Sequence, residues 1–108
     1  MIADEIMRAS GIEHCYGGWY PKKAPAKPYA VVLDEATSRG ADLKNLIEDH
    51  SVTVEVYTSK SQDPAVETVA RALDAAGVPN DRSEPVWIES EKTYMTAFYY
   101  SLSVKKGI

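Results

Sequence analysis

The sequence predicts an α+β fold in which two helices pack on one face of a mainly antiparallel sheet of four or five strands, in the order α-β-β-α-β-β. Three observations predict it: apolar residues alternate along the C-terminal hairpin, they alternate again over Val52–Tyr57, and a well-capped helical repeat follows Asp63. A chain of 108 residues is long enough for one domain that buries about two-thirds of its unfolded surface. We therefore expect a single domain over residues 1–108.

The N-terminal part predicts a short helix followed by a loop. Apolar residues recur at near-helical spacing over Met1–Ala9, and Ser10-Gly11 then ends the helix. Residues 14–28 contain a glycine pair and three prolines, which disfavour regular strand pairing, so a proline-rich loop is expected there. The loop carries large aromatic side chains that either fold back onto the domain or dock into a neighbour.

The middle of the chain predicts two strands. Tyr29–Leu33 is β-branched and apolar after a proline, and Val52–Tyr57 alternates between apolar and polar residues. Thr37–Gly40 is turn-like in composition. Residues 43–49 fit either a helical turn or a bent strand leading into Val52, and we favour the strand.

The second helix has the clearest boundaries in the sequence. Asp63 is a favourable N-cap and Pro64 suits the first helical position. Gly77 is expected to end the helix in a left-handed conformation, with Val78 folding back on Leu73 as in a Schellman motif.

The segment Pro85–Val104 predicts the closing hairpin. Even-numbered residues over 94–104 are mostly apolar and should face the core, whereas the odd-numbered residues are mostly small or polar. Met95 and Tyr99 make that second face only half-polar, which suits a sheet covered by another chain. Trp87 is expected on the hairpin's core face or against the second helix.

Composition argues against several classes of function. A net charge of −4 disfavours a general duplex-DNA binder, which needs clustered Lys and Arg. No apolar run approaches the ~18 residues of a membrane span, and the N-terminus is not typical of a signal peptide, so we expect a cytoplasmic protein with no membrane partner. Cys15 is the only cysteine, which makes an intrachain disulfide impossible and a zinc site hard to assemble.

No motif predicts catalysis. His14 and Cys15 are adjacent, but sequence neighbours rarely point at each other, and no side chain is placed to orient the imidazole. We expect His50 to be a polar residue at a strand entry and not a ligand or base. Glu91 and Lys92 lack the intervening residue of the acidic-x-lysine nuclease signature. We therefore expect a protein that is not an enzyme, with no catalytic, cofactor-binding or metal residues.

The order of motifs resembles the tail-completion or tail-terminator (head-tail joining) proteins of long-tailed bacteriophages and prophages. The matching features are an N-terminal helix, a proline-broken loop ending in Lys27–Val32, a polar turn before Ala41-Asp42, the Val54–Thr58 strand, and Val86–Lys92 followed by Tyr94–Tyr100. The resemblance covers most of the chain, although its motifs are structural and variable.

The resemblance implies a non-enzymatic structural protein of the virion that is made in the host cytoplasm. It implies a ring, commonly a homohexamer, that terminates the tail tube and joins it to the head connector. The expected partners are other copies of the chain, the major tail-tube protein and head connector proteins, with DNA only passing through the lumen. An acidic chain fits such a lumen, because a surface that repels phosphate does not hold the DNA back.

A closed ring needs unlike surfaces on the two sides of each subunit. Three parts of the chain are candidates for these surfaces: the proline-rich loop with its aromatic residues, the long segment from Arg39 to Asp49, and the half-polar face of the hairpin. The residues expected at subunit or partner interfaces are Tyr16, Trp19, Tyr20, Arg39, Asp42, Lys44, Met95 and Tyr99.

An alternative function uses the same layout of helices on a sheet. A ferredoxin-like small-ligand-binding or regulatory module has a similar fold class, and fold alone does not separate it from an assembly protein. Such a module would present a pocket with converging polar groups.

Overall fold

The computed structural model describes residues 2–17, 25–40 and 47–105. Within these residues the fold is α+β with a mostly antiparallel sheet, as predicted, but the sheet has six strands instead of four or five. The order is α-β-β-β-α-β-β-β. The elements are α1 (Ile2–Ser10), β1 (His14–Tyr16), β2 (Tyr29–Arg39), β3 (Ile47–Thr58), α2 (Pro64–Ala75), β4 (Asp81–Arg82), β5 (Val86–Ile88), a 3-10 turn (Glu89–Glu91) and β6 (Thr93–Lys105).

The sheet has the strand order β1-β2-β3-β6-β4, with β5 also paired to β6. Among the strands of the described residues, only β1 and β2 pair in parallel. The short strands β1 and β4 account for the difference from the predicted order. The prediction of a loop from residue 14 is wrong for His14–Tyr16, because these residues precede the prolines and pair with the buried start of β2.

The long hairpin of β2 and β3 pairs residue by residue from Tyr29 opposite Tyr57 to Arg39 opposite Ile47. The predicted turn at Thr37–Gly40 is therefore wrong for Thr37–Arg39, which continue β2. Alternation of apolar and polar residues marks a strand with one buried face. Both faces of this part of the sheet meet solvent, so polar residues continue the strand without that alternation. Ile47 begins β3, in agreement with the favoured strand, and residues 43–46 lie outside the described residues.

The core lies between the two helices and one face of the sheet. Every second row across the sheet supplies neighbouring side chains to it, as in the row of Val32, Val54 and Phe98, all fully buried. The two helices contact each other on this face, as predicted. The buried cluster also contains Ala3, Ile6, Met7, Ala30, Val52, Val56, Ala65, Val66, Val69, Leu73, Val78 and Tyr100.

The ends of α2 confirm the predicted caps. The Asp63 carboxylate accepts a hydrogen bond of 2.9 Å from the Ala65 amide. Gly77 has a φ of 72°, and the Val78 amide donates to the Leu73 carbonyl at 3.1 Å, which is the Schellman arrangement. Val78 joins Leu73 in the buried cluster.

The closing hairpin is formed by β5 and β6. The even-numbered positions of β6 face the helices, so that Phe98 and Tyr100 are buried. Trp87 lies opposite Tyr94 on this face, with ring centroids 4.9 Å apart. Trp87 lies on the predicted face of the hairpin, but it is not buried there as predicted. Its side chain is 44% exposed and does not belong to the buried cluster. Its indole N–H donates a hydrogen bond of 2.9 Å to Glu89.

Candidate assembly surface

The sheet extends beyond its helices at one end. A strand of 13 residues spans about 44 Å and a helix of 12 residues about 18 Å, so the helices cover only part of β2, β3 and β6. On the helix side the last buried row is that of Val52 and Tyr100, and Leu102 in the next row is partly buried against the core. We call the three-stranded extension the arm; it consists of residues 35–39, 47–51 and 101–105.

The helix-side face of the arm begins with a charged cluster around His50. The His50 Nδ1 lies 2.7 Å from Asp34 Oδ1, and its Nε2 lies 2.8 Å from Glu48 Oε1. Carboxylates accept hydrogen bonds, so a doubly protonated imidazole donates to both of them. The hydrogen bond to Asp34 raises the pKa of His50 above its ordinary value, and Glu48 adds to the effect against the cost of burial.

The His50 cluster was missed by the sequence analysis, which predicted only a polar residue at a strand entry. The His50 side chain is 11% exposed, and its two partners come from neighbouring positions of the sheet. One signal was present: Glu48 and His50 are two residues apart, and residues at that spacing in a strand share a face. The position of Asp34 depends on the register of β2 and β3, which the sequence did not fix.

The opposite face of the arm has its own polar connections. The Arg39 Nε donates to Asp49 at 2.6 Å, and the Ser103 hydroxyl donates to the same carboxylate at 2.6 Å. These bonds lower the pKa of Asp49, the Arg39 bond most strongly. Polar side chains therefore connect β2 to β3 on both faces of the arm, and they connect β3 to β6 on this face.

The face of the sheet away from the helices is partly apolar. Tyr99 is 47% exposed, and Leu33 and Val86 are exposed as well. Met95 is half-buried beside Tyr57, whose ring stacks on Tyr29 with centroids 5.1 Å apart. The two residues predicted on this face, Met95 and Tyr99, thus lie together on one surface with other apolar side chains.

Tyr16 lies at the end of β1, on the helix side of the sheet. Its hydroxyl donates to Asp4 of α1 at 3.1 Å, and its side chain is 40% exposed. Burial and the Asp4 carboxylate both raise the pKa of the Tyr16 hydroxyl. Tyr16 therefore connects β1 to α1 while leaving part of its ring at the surface.

The predicted interface residues fall in separate parts of the molecule. Arg39 is in the arm, Met95 and Tyr99 share the face away from the helices, and Tyr16 is on the other face. The four remaining predicted residues lie outside the described residues: Trp19, Tyr20, Asp42 and Lys44.

The residues considered for catalysis have structural contacts. His14 and Cys15 are neighbours in β1, and strand neighbours point to opposite faces; the His14 Nδ1 donates to the Ile12 carbonyl at 3.0 Å. Glu89 accepts hydrogen bonds from Lys92 and Trp87 in the exposed hairpin turn. Among residues 2–17, 25–40 and 47–105, no group of three or more His, Cys, Asp or Glu is arranged to hold a metal ion.

No protein-family model matches this chain, and no curated protein matches its sequence. In the part of the chain that the structure describes, no helix is both long and apolar enough to cross a membrane.

Proposed function

We propose that this protein is a non-enzymatic assembly protein that works as a homo-oligomer. The observation that carries the proposal is the arm: three strands continue past the helices, with ionic contacts between β2 and β3 on both faces and a hydrogen bond from Ser103 of β6 to Asp49. A lone domain gains little from such an extension, because extended backbone without core burial costs conformational entropy. Contact with other subunits offsets that cost.

More specifically, we propose a tail terminator of long-tailed phages or prophages, forming a ring, commonly of six copies, that ends the tail tube and joins it to the head connector. The arm supplies a projection suited to reach along the tube axis, and the exposed Tyr99 with its apolar neighbours supplies a surface for a neighbouring subunit. DNA would pass through the lumen without being bound, in keeping with the net charge of −4.

The proposal is tested by adding the purified protein to polymerising tail-tube protein from the same genome. A terminator is expected to stop tube growth and to leave ring-shaped density at tube ends in negative-stain electron microscopy. A Tyr99→Ala variant should cap poorly while remaining folded, and Ser61→Ala, at an exposed turn on the far side of the sheet, is the matched control. Unchanged tube lengths and bare ends would contradict the proposal.

A further inference from the structure

The outer edge of β2 is only partly used by β1. The Ala30 amide donates to Glu13 at 2.8 Å, and the Val32 carbonyl accepts from Gly17 at 3.0 Å. Backbone N–H and C=O groups alternate in direction along a strand. The next residues of β2 whose N–H and C=O groups point away from β3 are therefore Asp34, Ala36 and Ser38. Gly17 adopts a φ of 83°, which favours glycine, and β1 ends just before it.

The outer edge of β6 is used in the same partial way. The Ala97 carbonyl accepts from the Ser83 amide at 2.9 Å, and the Ala97 amide donates to the Ser83 hydroxyl at 2.9 Å. The backbone N–H and C=O groups of the odd-numbered residues of β6 therefore point away from β3. Tyr99 pairs with β4, and the next outward residues are Ser101, Ser103 and Lys105.

Neither edge of the arm pairs with another strand among residues 2–17, 25–40 and 47–105. A surface cleft opens where each of these edges begins. One is lined by Tyr16 and Glu35 beside β2, and the other by Asn80 and Ser101 beside β6. Among the described residues, each cleft leaves space for a strand at the point where the existing pairing stops.

The arm edges lack most of the usual protection against strand pairing. Natural edges are commonly blocked by proline, a bulge or several lysines. The register of β2, β3 and β6 is continuous along the arm, which contains no proline and only Lys105 as a lysine. The outward positions Ala36, Ser38, Ser101 and Ser103 are small and exposed, so a neighbouring backbone meets little steric resistance.

The two edges are complementary in direction. Both β2 and β6 run antiparallel to β3, so they run parallel to each other, from the helices towards the end of the arm. We infer that the edge of β2 over Asp34–Ser38 in one copy pairs in parallel with the edge of β6 over Ser101–Lys105 in the next copy. This inference rests on the ring proposed above and names its interface.

Head-to-tail pairing uses both edges of every copy, and a repeated rotation closes it into a ring. Pairing of two β2 edges would instead leave both β6 edges open in each dimer. An incoming β6 would also extend the parallel ladder that β1 begins on β2, since it runs in the direction of β1. The second copy of this chain is therefore the occupant that accounts for both edges at once.

Two proline variants test the inference by removing one outward N–H from each edge. Ala36→Pro blocks β2 and Ser101→Pro blocks β6, and proline is tolerated on strands where its N–H would face solvent. Light scattering should find each variant monomeric alone. An equal mixture of the two variants should give a dimer and nothing larger. The unblocked β6 edge of Ala36→Pro can pair with the unblocked β2 edge of Ser101→Pro, and no further unblocked edge remains.

Ala36→Val and Ser101→Val are the matched controls, because they change the same side chains and keep the N–H. Both should assemble like the unmodified chain. Should the proline variants fail to fold by circular dichroism, amide hydrogen exchange on the unmodified chain decides. The outward amides of Ala36, Ser38, Ser101 and Ser103 should exchange about tenfold or more slowly in the ring than in the diluted monomer.

The outcomes separate the interface from the function. If the proline variants still form rings, or if the outward amides exchange equally fast in ring and monomer, the interface is wrong and the proposed ring function stands. If either proline variant dimerises by itself, head-to-tail pairing is wrong. If the unmodified chain stays monomeric with and without tail-tube protein, both the interface and the proposed function are overturned.

Discussion

The His50 Nδ1 lies 2.7 Å from the Asp34 carboxylate and joins β3 to β2 at the point where the helices stop covering the sheet. Glu48 accepts from the other ring nitrogen at 2.8 Å. His50 thus bridges two carboxylates and joins β2 to β3 at the base of the arm, where the buried core ends.

The first prediction concerns the pKa of His50. We expect it to lie above the ordinary value of ~6.5, because the charged imidazole is stabilised by Asp34 and then Glu48. A pH titration of the ring protons by NMR measures it directly. Asp34→Asn should bring the pKa down, and a His50 pKa that is unchanged in Asp34→Asn would contradict the assigned cause.

The second prediction concerns stability against pH. Because the pKa of His50 is raised in the folded state, its stabilising contribution is complete below about pH 6.5 and is lost as the pH rises through the folded-state pKa. The free energy of unfolding lost in His50→Ala should therefore be larger at about pH 6 than at about pH 9. Urea denaturation of both proteins at the two pH values measures this, and an equal loss at both would refute the linkage.

The third prediction concerns the N-cap of α2. Asp63→Ala removes the acceptor for the Ala65 amide and should lower the free energy of unfolding by about 1 kcal/mol. Asp63→Ser should recover most of the loss, because a serine hydroxyl also caps. Equal stability of Asp63→Ala and the unmodified chain in urea would show that this cap contributes nothing.

The fourth prediction compares two neighbouring residues of β6. Phe98 is fully buried between the helices and the sheet, so Phe98→Ala should cost about 3–5 kcal/mol of unfolding free energy. Tyr99 is 47% exposed on the other face, so Tyr99→Ala should change stability by only about 0.5 kcal/mol while weakening assembly. Thermal unfolding gives the first comparison and solution mass the second. A large stability loss in Tyr99→Ala would assign Tyr99 to the monomer fold.

Local signals in the sequence predicted much of the fold. The caps of α2 at Asp63 and Gly77 follow from residue type alone, and the alternation in β6 identifies which face Phe98 and Tyr100 bury. The caps and the alternation both depend on physical preferences that act within a few residues, and the structure confirms these two predictions because no distant partner is needed for them.

The parts that sequence did not predict depend on pairing between distant residues. His14–Tyr16 become a strand only because the start of β2 is available beside them, and Thr37–Arg39 extend β2 only because β3 lies opposite. The His50 cluster needs the same register to bring Asp34 within reach. None of these partners is visible from a local pattern.

Light scattering across a concentration series, with and without the tail-tube protein, gives the solution mass of the unmodified protein and so decides whether it forms a ring. A tail terminator should give a ring-sized assembly of the 11.9-kDa chain, formed alone or induced by the tube protein. A strict monomer under both conditions would contradict the ring and favour the ligand-binding module.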